Sequence, residues 1–159
     1  MICAEPNTDL KYTDCQVVFR EIPNEVTLAF NISNCPNQCV GCHSPELQQN
    51  IGETLTPNVL FGIIDAHEEI TCVLFLGDGG NINEIISLIK KCKSTFTLLK
   101  FGLYTGNDEI TINKELIDNL DYLKIGHYNN KLGGLDTSTT NQRLIKITNL
   151  TPEMYGNKN

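Results

Sequence analysis

Apolar residues recur along this chain with two periods, one typical of β-strands and one typical of α-helices. Six short segments rich in β-forming side chains predict strands, at residues 13–21, 26–32, 71–76, 96–104, 122–125 and 143–147. Apolar residues three and four apart predict helices near residues 57–67 and 81–92, and a weaker helical pattern covers residues 113–119. This alternation of strands and helices favours parallel βα units with right-handed crossovers.

Two of the predicted helices begin at residues that favour a helix start. Thr56 precedes Pro57, and proline is favoured at the first helical position. Asn81, with Glu84 three residues later, resembles a helix cap and its partner. His67 ends the apolar face of the first helix, and we interpret it as a boundary residue of that face rather than as a metal ligand.

The number of units limits the fold. Four or five βα units are too few to close an eight-stranded barrel, which takes about 250 residues. An open doubly wound sheet and an incomplete barrel both fit, and in either one the chemistry belongs at the carboxyl ends of the strands. Three loops fall there, after Ile32, Leu76 and Tyr104. No linker or repeat divides the chain, so we predict one domain over residues 1–159, with a polar tail at about 149–159.

Composition narrows the classes of function. The chain has 159 residues, a formal charge of −7 and seven cysteines. It shows no basic stripe of the kind that nucleic-acid binders carry, because its short lysine group at residues 90–93 ends a helical pattern. The first 20 residues lack the apolar region of a secretory signal, and no apolar run approaches the roughly 18 residues that cross a bilayer. We therefore expect a cytoplasmic protein without nucleic-acid or membrane partners, in which cysteines more often mean metal, redox or packing than disulfides.

Three of the cysteines are closely spaced directly after the second predicted strand. Cys35, Cys39 and Cys42 form a Cys-x3-Cys-x2-Cys array, and both iron–sulfur clusters and zinc accept thiolates at such spacings. A closed zinc site needs a fourth ligand, and His43 adjoins Cys42 too closely to reach the same ion easily. A 4Fe–4S cluster on three cysteines instead leaves one iron open, which suits an enzyme that brings its substrate to the cluster.

Three of the other four cysteines, Cys15, Cys72 and Cys92, are possible remote fourth ligands. Cys72 and Cys92 fall on a buried-strand pattern and on a helix face, where a free cysteine packs as a small apolar residue. We predict that these two belong to the core. Cys3 and Cys15 have no assignment from the sequence.

The cysteine array carries a family resemblance. Residues 34–46, NCPNQCVGCHSPE, resemble the radical S-adenosylmethionine (SAM) superfamily and, within it, the activating enzymes of glycyl-radical proteins. The small size and residues 133–143, GGLDTSTTNQR, are similar to the family that activates anaerobic (class III) ribonucleoside-triphosphate reductases. The resemblance runs from about residue 12 to about residue 147.

The resemblance implies a fold, cofactors and partners. The fold is a small incomplete (βα) barrel with parallel strands and the helices outside. Cys35, Cys39 and Cys42 hold a 4Fe–4S cluster whose open iron chelates SAM, and one electron cleaves SAM to methionine and a 5′-deoxyadenosyl radical. This radical removes a hydrogen atom from a glycine of the partner, an anaerobic ribonucleoside-triphosphate reductase. An unidentified low-potential electron donor is the second implied partner.

The resemblance also implies contacts to SAM. The expected SAM-binding residues are Gly41, Cys42, His43, Gly77, Asp78, Gly79 and Tyr104. His43 would lie along the adenine, and Tyr104 would flank the adenosine. Residues 77–80, Gly-Asp-Gly-Gly, stand where the family has Gly-Gly-Glu/Asp, so the acid comes one place early. A Rossmann fingerprint is excluded, because Ile82 stands where its third glycine belongs. Residues 141–143, Asn-Gln-Arg, would lie near the open face, where a partner docks, or in a solvated loop.

Other functions stay open on the sequence alone. One is another small radical SAM enzyme, such as an activase of a different glycyl-radical enzyme or a 7-carboxy-7-deazaguanine synthase. The other is a non-catalytic interaction module that binds zinc or iron.

Overall fold

The structure, a computed structural model, describes residues 10–34, 45–105, 114–125 and 143–147. The strands are β1 (Lys11–Val18), β2 (Thr27–Ile32), β3 (Glu53–Thr54), β4 (Cys72–Leu76), β5 (Lys100–Tyr104), β6 (Tyr122–Ile125) and β7 (Arg143–Lys146). The helices are α1 (Pro57–Asp65), α2 (Ile82–Thr95) and α3 (Lys114–Asn119), and a 3-10 turn spans Pro45–Gln48.

The strands form one open seven-stranded sheet in the order β3-β1-β2-β4-β5-β6-β7. The four strands β2, β4, β5 and β6 are parallel, as the alternation of strands and helices predicts. The flanking strands are antiparallel to their neighbours, which the sequence pattern does not predict. Only residues 19–26 join β1 to β2, and a connection this short returns the chain antiparallel, since a parallel pair needs a crossover of about a dozen residues or more.

The two faces of the sheet have different covers. Side chains of a strand alternate between faces, so Val73 and Phe75 pack on one side and Cys72 and Leu74 on the other. The first side holds the helix-side cluster, to which α1, α2 and α3 contribute their apolar residues. The second holds the inner cluster, formed by Ile22, Ala29, Cys72, Leu74, Tyr104 and Tyr122. All helices in the described ranges therefore pack on one face, whereas a doubly wound sheet carries helices on both.

The capping predictions are confirmed. The Thr56 side-chain oxygen accepts a hydrogen bond from the Val59 amide at 3.2 Å, and Pro57 is the first residue of α1. The Asn81 side-chain oxygen accepts from the Glu84 amide at 3.2 Å at the start of α2. Local side-chain chemistry thus determines where both helices begin.

Two predicted strand boundaries are wrong. The strand predicted at 96–104 begins only at Lys100, because α2 continues to Thr95 and the Phe96 amide still donates to the Cys92 carbonyl at 2.7 Å. Phe96 and Leu99 pack against the helix-side cluster, so their apolar character reflects the packing of a turn. The first strand covers Lys11–Val18 rather than residues 13–21. Within the described ranges, no helix is long and apolar enough to cross a membrane.

The core assignment of two cysteines is confirmed. Cys72 and Cys92 are completely buried, Cys72 in the inner cluster and Cys92 in the helix-side cluster. Burial raises the pKa of each thiol to about 12. Both thiols therefore stay protonated near neutral pH. Because a cysteine binds a metal as the thiolate, neither is suited to be a metal ligand.

Candidate functional site

The candidate site lies at the carboxyl edge of the sheet, where the four parallel strands end. The cysteine loop, residues 35–44, starts there directly after β2. Cys35, Cys39, Gly41, Cys42 and His43 lie outside the described residues, so their predicted roles stay predictions. The structure does describe the residues on both sides of this loop and the elements around it.

The two ends of the cysteine loop are held together. The Asn34 amide donates to the Gln49 carbonyl at 2.9 Å, which joins the residue before the loop to a residue shortly after it. The Ser33 amide donates to the Lys11 carbonyl at 3.0 Å, and the Ser33 hydroxyl donates to the Ile51 carbonyl. Asn34 has a φ of 62°, a left-handed conformation that asparagine tolerates well. The cysteine loop is therefore closed at its base, at the carboxyl end of β2.

The glycine loop, residues 77–80, follows β4 at the same edge. Gly77, Gly79 and Gly80 have φ values of 113°, 60° and 70°, which other residues rarely adopt. A Cβ atom on Gly79 would lie 3.1 Å from the Ile32 side chain and 3.2 Å from the Ser33 carbonyl oxygen. The glycine loop thus packs directly against the end of β2, two residues before the first cysteine.

Asp78 ties this loop to the next strand. It is only 5% exposed. Its Oδ1 accepts from the Gly80 amide at 2.8 Å, and its Oδ2 accepts from the Thr105 hydroxyl at 2.8 Å. The Thr105 amide donates to the Lys124 carbonyl at 2.9 Å. One chain of hydrogen bonds therefore connects the carboxyl ends of β4, β5 and β6.

Tyr104 belongs to the inner cluster. Its hydroxyl donates to the Glu21 carbonyl, and its own carbonyl accepts from the Gly77 amide at 2.9 Å. Burial raises the pKa of the Tyr104 hydroxyl, and the Glu21 carboxylate adds to the shift. Tyr104 thus supports the glycine loop through its backbone, and its predicted contact with adenosine stays a prediction.

Lys124 is a residue of this edge that the sequence pattern does not single out. Its ammonium group lies 4.5 Å from the centre of the Tyr104 ring. Burial lowers the pKa of Lys124, although the Glu21 carboxylate opposes the shift. Within the described ranges, Lys124 has no carboxylate within ion-pair distance. The signal in the sequence is a lysine between Leu123 and Ile125 in an otherwise buried strand.

The Asn-Gln-Arg segment reaches the same edge at its last residue. Arg143, the first residue of β7, pairs with Ile125, the last residue of β6. Its backbone therefore lies at the carboxyl edge. Asn141 and Gln142 lie outside the described residues.

A second buried carboxylate lies at the opposite, amino edge of the sheet. Glu25 is 6% exposed and accepts from Tyr122 at 2.6 Å, Thr71 at 2.7 Å and Lys100 at 2.9 Å. Burial raises the pKa of the Glu25 carboxyl, but the hydrogen bonds from Tyr122, Lys100 and Thr71 outweigh it and leave the pKa below its ordinary value. These partners come from the amino ends of β4, β5 and β6, so this group closes the edge of the sheet that faces away from the candidate site.

Comparison with known proteins identifies the family. A family model described as a 4Fe-4S single cluster domain matches residues 25–145, which is more than half of the chain. Neither curated proteins nor solved structures gave a match. The match indicates a 4Fe–4S cluster domain and favours the iron–sulfur interpretation over the zinc interpretation. The chain belongs to the 4Fe-4S single cluster domain family.

Proposed function

We propose that this 4Fe-4S single cluster domain protein is a radical SAM activase, which cleaves SAM reductively and generates a glycyl radical on an anaerobic ribonucleotide reductase. The observation that carries the proposal is the packing of the glycine loop on the end of β2, two residues before the first cysteine. The cysteine loop is closed at its base by the Asn34–Gln49 hydrogen bond, and the glycine loop packs against Ile32 and Ser33 immediately before it. This packing supports a cluster site and a backbone-rich ligand site that are neighbours at the carboxyl edge of the open sheet.

The donor set fits a cluster with one open iron. Cys35, Cys39 and Cys42 would hold it, and when bound it supplies the electron for cleavage of the SAM sulfonium bond. Two candidates for a remote fourth ligand, Cys72 and Cys92, are completely buried, and their thiols have a pKa of about 12. Such thiols are poor ligands, which supports a set of three cysteines.

The chain's own groups at this edge suit the polar parts of SAM. Lys124 offers a partly desolvated positive charge to the carboxylate of the methionine moiety. The glycine loop brings backbone groups close to Ile32 and Ser33, because three of its residues lack side chains. Gly41, Cys42 and His43 remain the proposed neighbours of the adenine. The protein would orient SAM and exclude water, which protects a carbon radical from side reactions.

The proposed substrate of the radical is a glycine of the partner reductase. The 5′-deoxyadenosyl radical takes a hydrogen atom from the glycine Cα, which yields 5′-deoxyadenosine and leaves the unpaired electron on the partner. A low-potential donor supplies the electron consumed in each SAM cleavage. Arg143, at the carboxyl edge by its backbone, is a candidate for contact with the partner.

The test begins with anaerobic reconstitution of the full chain with iron and sulfide. We expect about four irons per chain, a reducible cluster, and 5′-deoxyadenosine from SAM on reduction. Cys39→Ala should abolish SAM cleavage, since it removes one of three ligands. Cys15→Ala is the matched control, because Cys15 lies on β1 and should leave cleavage unchanged. One tightly bound zinc without SAM cleavage would instead indicate a non-catalytic module.

The partner is tested by mixing the reduced protein and SAM with an anaerobic ribonucleotide reductase. Electron paramagnetic resonance should then show a glycyl radical on the reductase. SAM cleavage without this signal would point to another small radical SAM enzyme, one that activates a different glycyl-radical protein or makes 7-carboxy-7-deazaguanine.

A further inference from the structure

The acidic residue of the glycine loop is turned into the protein. Asp78 stands one place earlier than the acid of the resembling family, and its side chain is 5% exposed. One carboxylate oxygen accepts from the Gly80 amide and the other from the Thr105 hydroxyl, both at 2.8 Å. The carboxylate is thus engaged with the chain itself on both oxygens.

We call these two hydrogen bonds the tie, and a loop with three glycines needs such a tie to hold one conformation. Gly77, Gly79 and Gly80 all adopt positive φ values, and glycine loses more conformational entropy on ordering than any other residue. The hydrogen bond to Gly80 fixes the turn within the loop, and the bond to Thr105 anchors the loop to β5. A hydrogen bond to a charged group is stronger than one between neutral groups, so a carboxylate suits this task.

The tie also bears on the cysteine loop. Gly79 lies so close to Ile32 and Ser33 that an added Cβ would contact both at 3.1–3.2 Å. Any displacement of the glycine loop is therefore transmitted to the end of β2, from which the cysteine loop starts. Asp78 thus holds a loop that packs on the end of β2.

We infer that Asp78 is a positioning residue for SAM, which holds the glycine loop through Gly80 and Thr105 and does not itself contact SAM. This inference rests on the proposed function for its ligand, whereas the tie itself is a property of the chain. The position of Asp78, one residue before the acid of the resembling family, is then explained. It directs the carboxylate to Gly80 and Thr105, so that both of its oxygens are engaged within the chain.

The first experiment measures SAM binding to the reconstituted protein together with the KM and kcat of SAM cleavage. Asp78→Asn should raise the KM and the dissociation constant for SAM by about 10-fold while kcat changes less, because positioning contributes to binding. Thr105→Val should act in the same direction, and Thr105→Ser, which keeps the hydroxyl, should restore near-normal binding. Asp118→Asn is the matched control, because Asp118 is exposed on α3.

An effect of Asp78→Asn on SAM binding that Thr105→Val does not share would overturn the inference, since it would indicate direct contact with SAM. The second experiment needs no SAM and follows amide hydrogen exchange in residues 76–82. Asp78→Ala, which removes both acceptor oxygens, should speed the exchange of the Gly80 amide by about 10-fold. Unchanged exchange would disprove the tie. A wild-type protein that binds no SAM would refute the proposed function, while the exchange result would still decide whether Asp78 holds the loop.

Discussion

Two carboxylates are buried at opposite edges of the same sheet, and they are held in different ways. Glu25, at the amino edge, accepts from three side chains, one of which is the ammonium group of Lys100. Asp78, at the carboxyl edge, accepts from one hydroxyl and one backbone amide. None of the ion pairs in the described part of the chain involves Asp78.

The two carboxylates therefore have different surroundings, since Glu25 closes one edge of the sheet and Asp78 lies in the candidate site. The partners of Glu25 join the starts of three strands and close that edge with side chains. The partners of Asp78 are the Gly80 amide, in the glycine loop, and the Thr105 hydroxyl, directly after β5, and the glycine loop has few side chains to cover its backbone. In parallel βα folds, the amino edge generally serves stability and the carboxyl edge function, and the two carboxylates follow this division.

The largest expected effect is on the stability of the amino edge. Glu25→Ala should lower the free energy of unfolding by about 3 kcal/mol, because it leaves the Tyr122 and Thr71 hydroxyls without their acceptor. Urea unfolding followed by circular dichroism measures this loss. Lys100→Met is the comparison variant and should cost much less than Glu25→Ala, since the Lys100 side chain is 48% exposed. Equal costs for both variants would show that the ion pair, rather than the buried carboxylate, stabilises this edge.

A smaller effect is expected from the glycine loop. Gly79→Ala should destabilise the protein by about 2 kcal/mol, because φ is 60° and the added Cβ would lie 3.1 Å from the Ile32 side chain. It should also weaken SAM binding, whereas Glu25→Ala should leave SAM binding unchanged.

Gly62→Ala is the matched control for the glycine loop. Gly62 lies within α1, and an added Cβ there would have no atom within 4 Å. The substitution should stabilise the protein by about 0.5–1 kcal/mol, because alanine favours helix more than glycine does. If both alanine variants shifted the urea midpoint in the same direction, the special conformation of Gly79 would not matter for stability.

The smallest effect concerns pH. The folded protein lowers the pKa of Glu25, so its contribution to stability is complete above the ordinary value of about 4.3 and is lost as the pH falls through the lower folded value. The stability difference between the wild type and Glu25→Gln should therefore shrink as the pH falls below about 4.3. Urea midpoints measured for both proteins across this range test the prediction. A constant difference would mean that the charge of Glu25 contributes nothing.

The sequence by itself determined the local features of this protein. Thr56 and Asn81 cap their helices because each side chain reaches an amide only three residues away. The apolar runs of the strands and the spacing of the cysteine array are also local, and the array together with the family match indicates the 4Fe–4S cluster. The exact ends of β1 and α2 could not be predicted from short segments. Packing against the helix-side cluster extends or shortens these elements.

The meeting of residues that are distant in the sequence depends on the fold of the whole sheet. Asp78 and Thr105 are 27 residues apart, and Glu25 and Tyr122 are 97 residues apart, so no periodicity could pair them. The same holds for Lys124, which lies over the Tyr104 ring only because β5 and β6 are neighbours. Residue types and short spacings indicate which chemistry is available, but the order and direction of the strands place the glycine loop against the end of β2. That placement depends on burial of the whole sheet, which no short segment encodes.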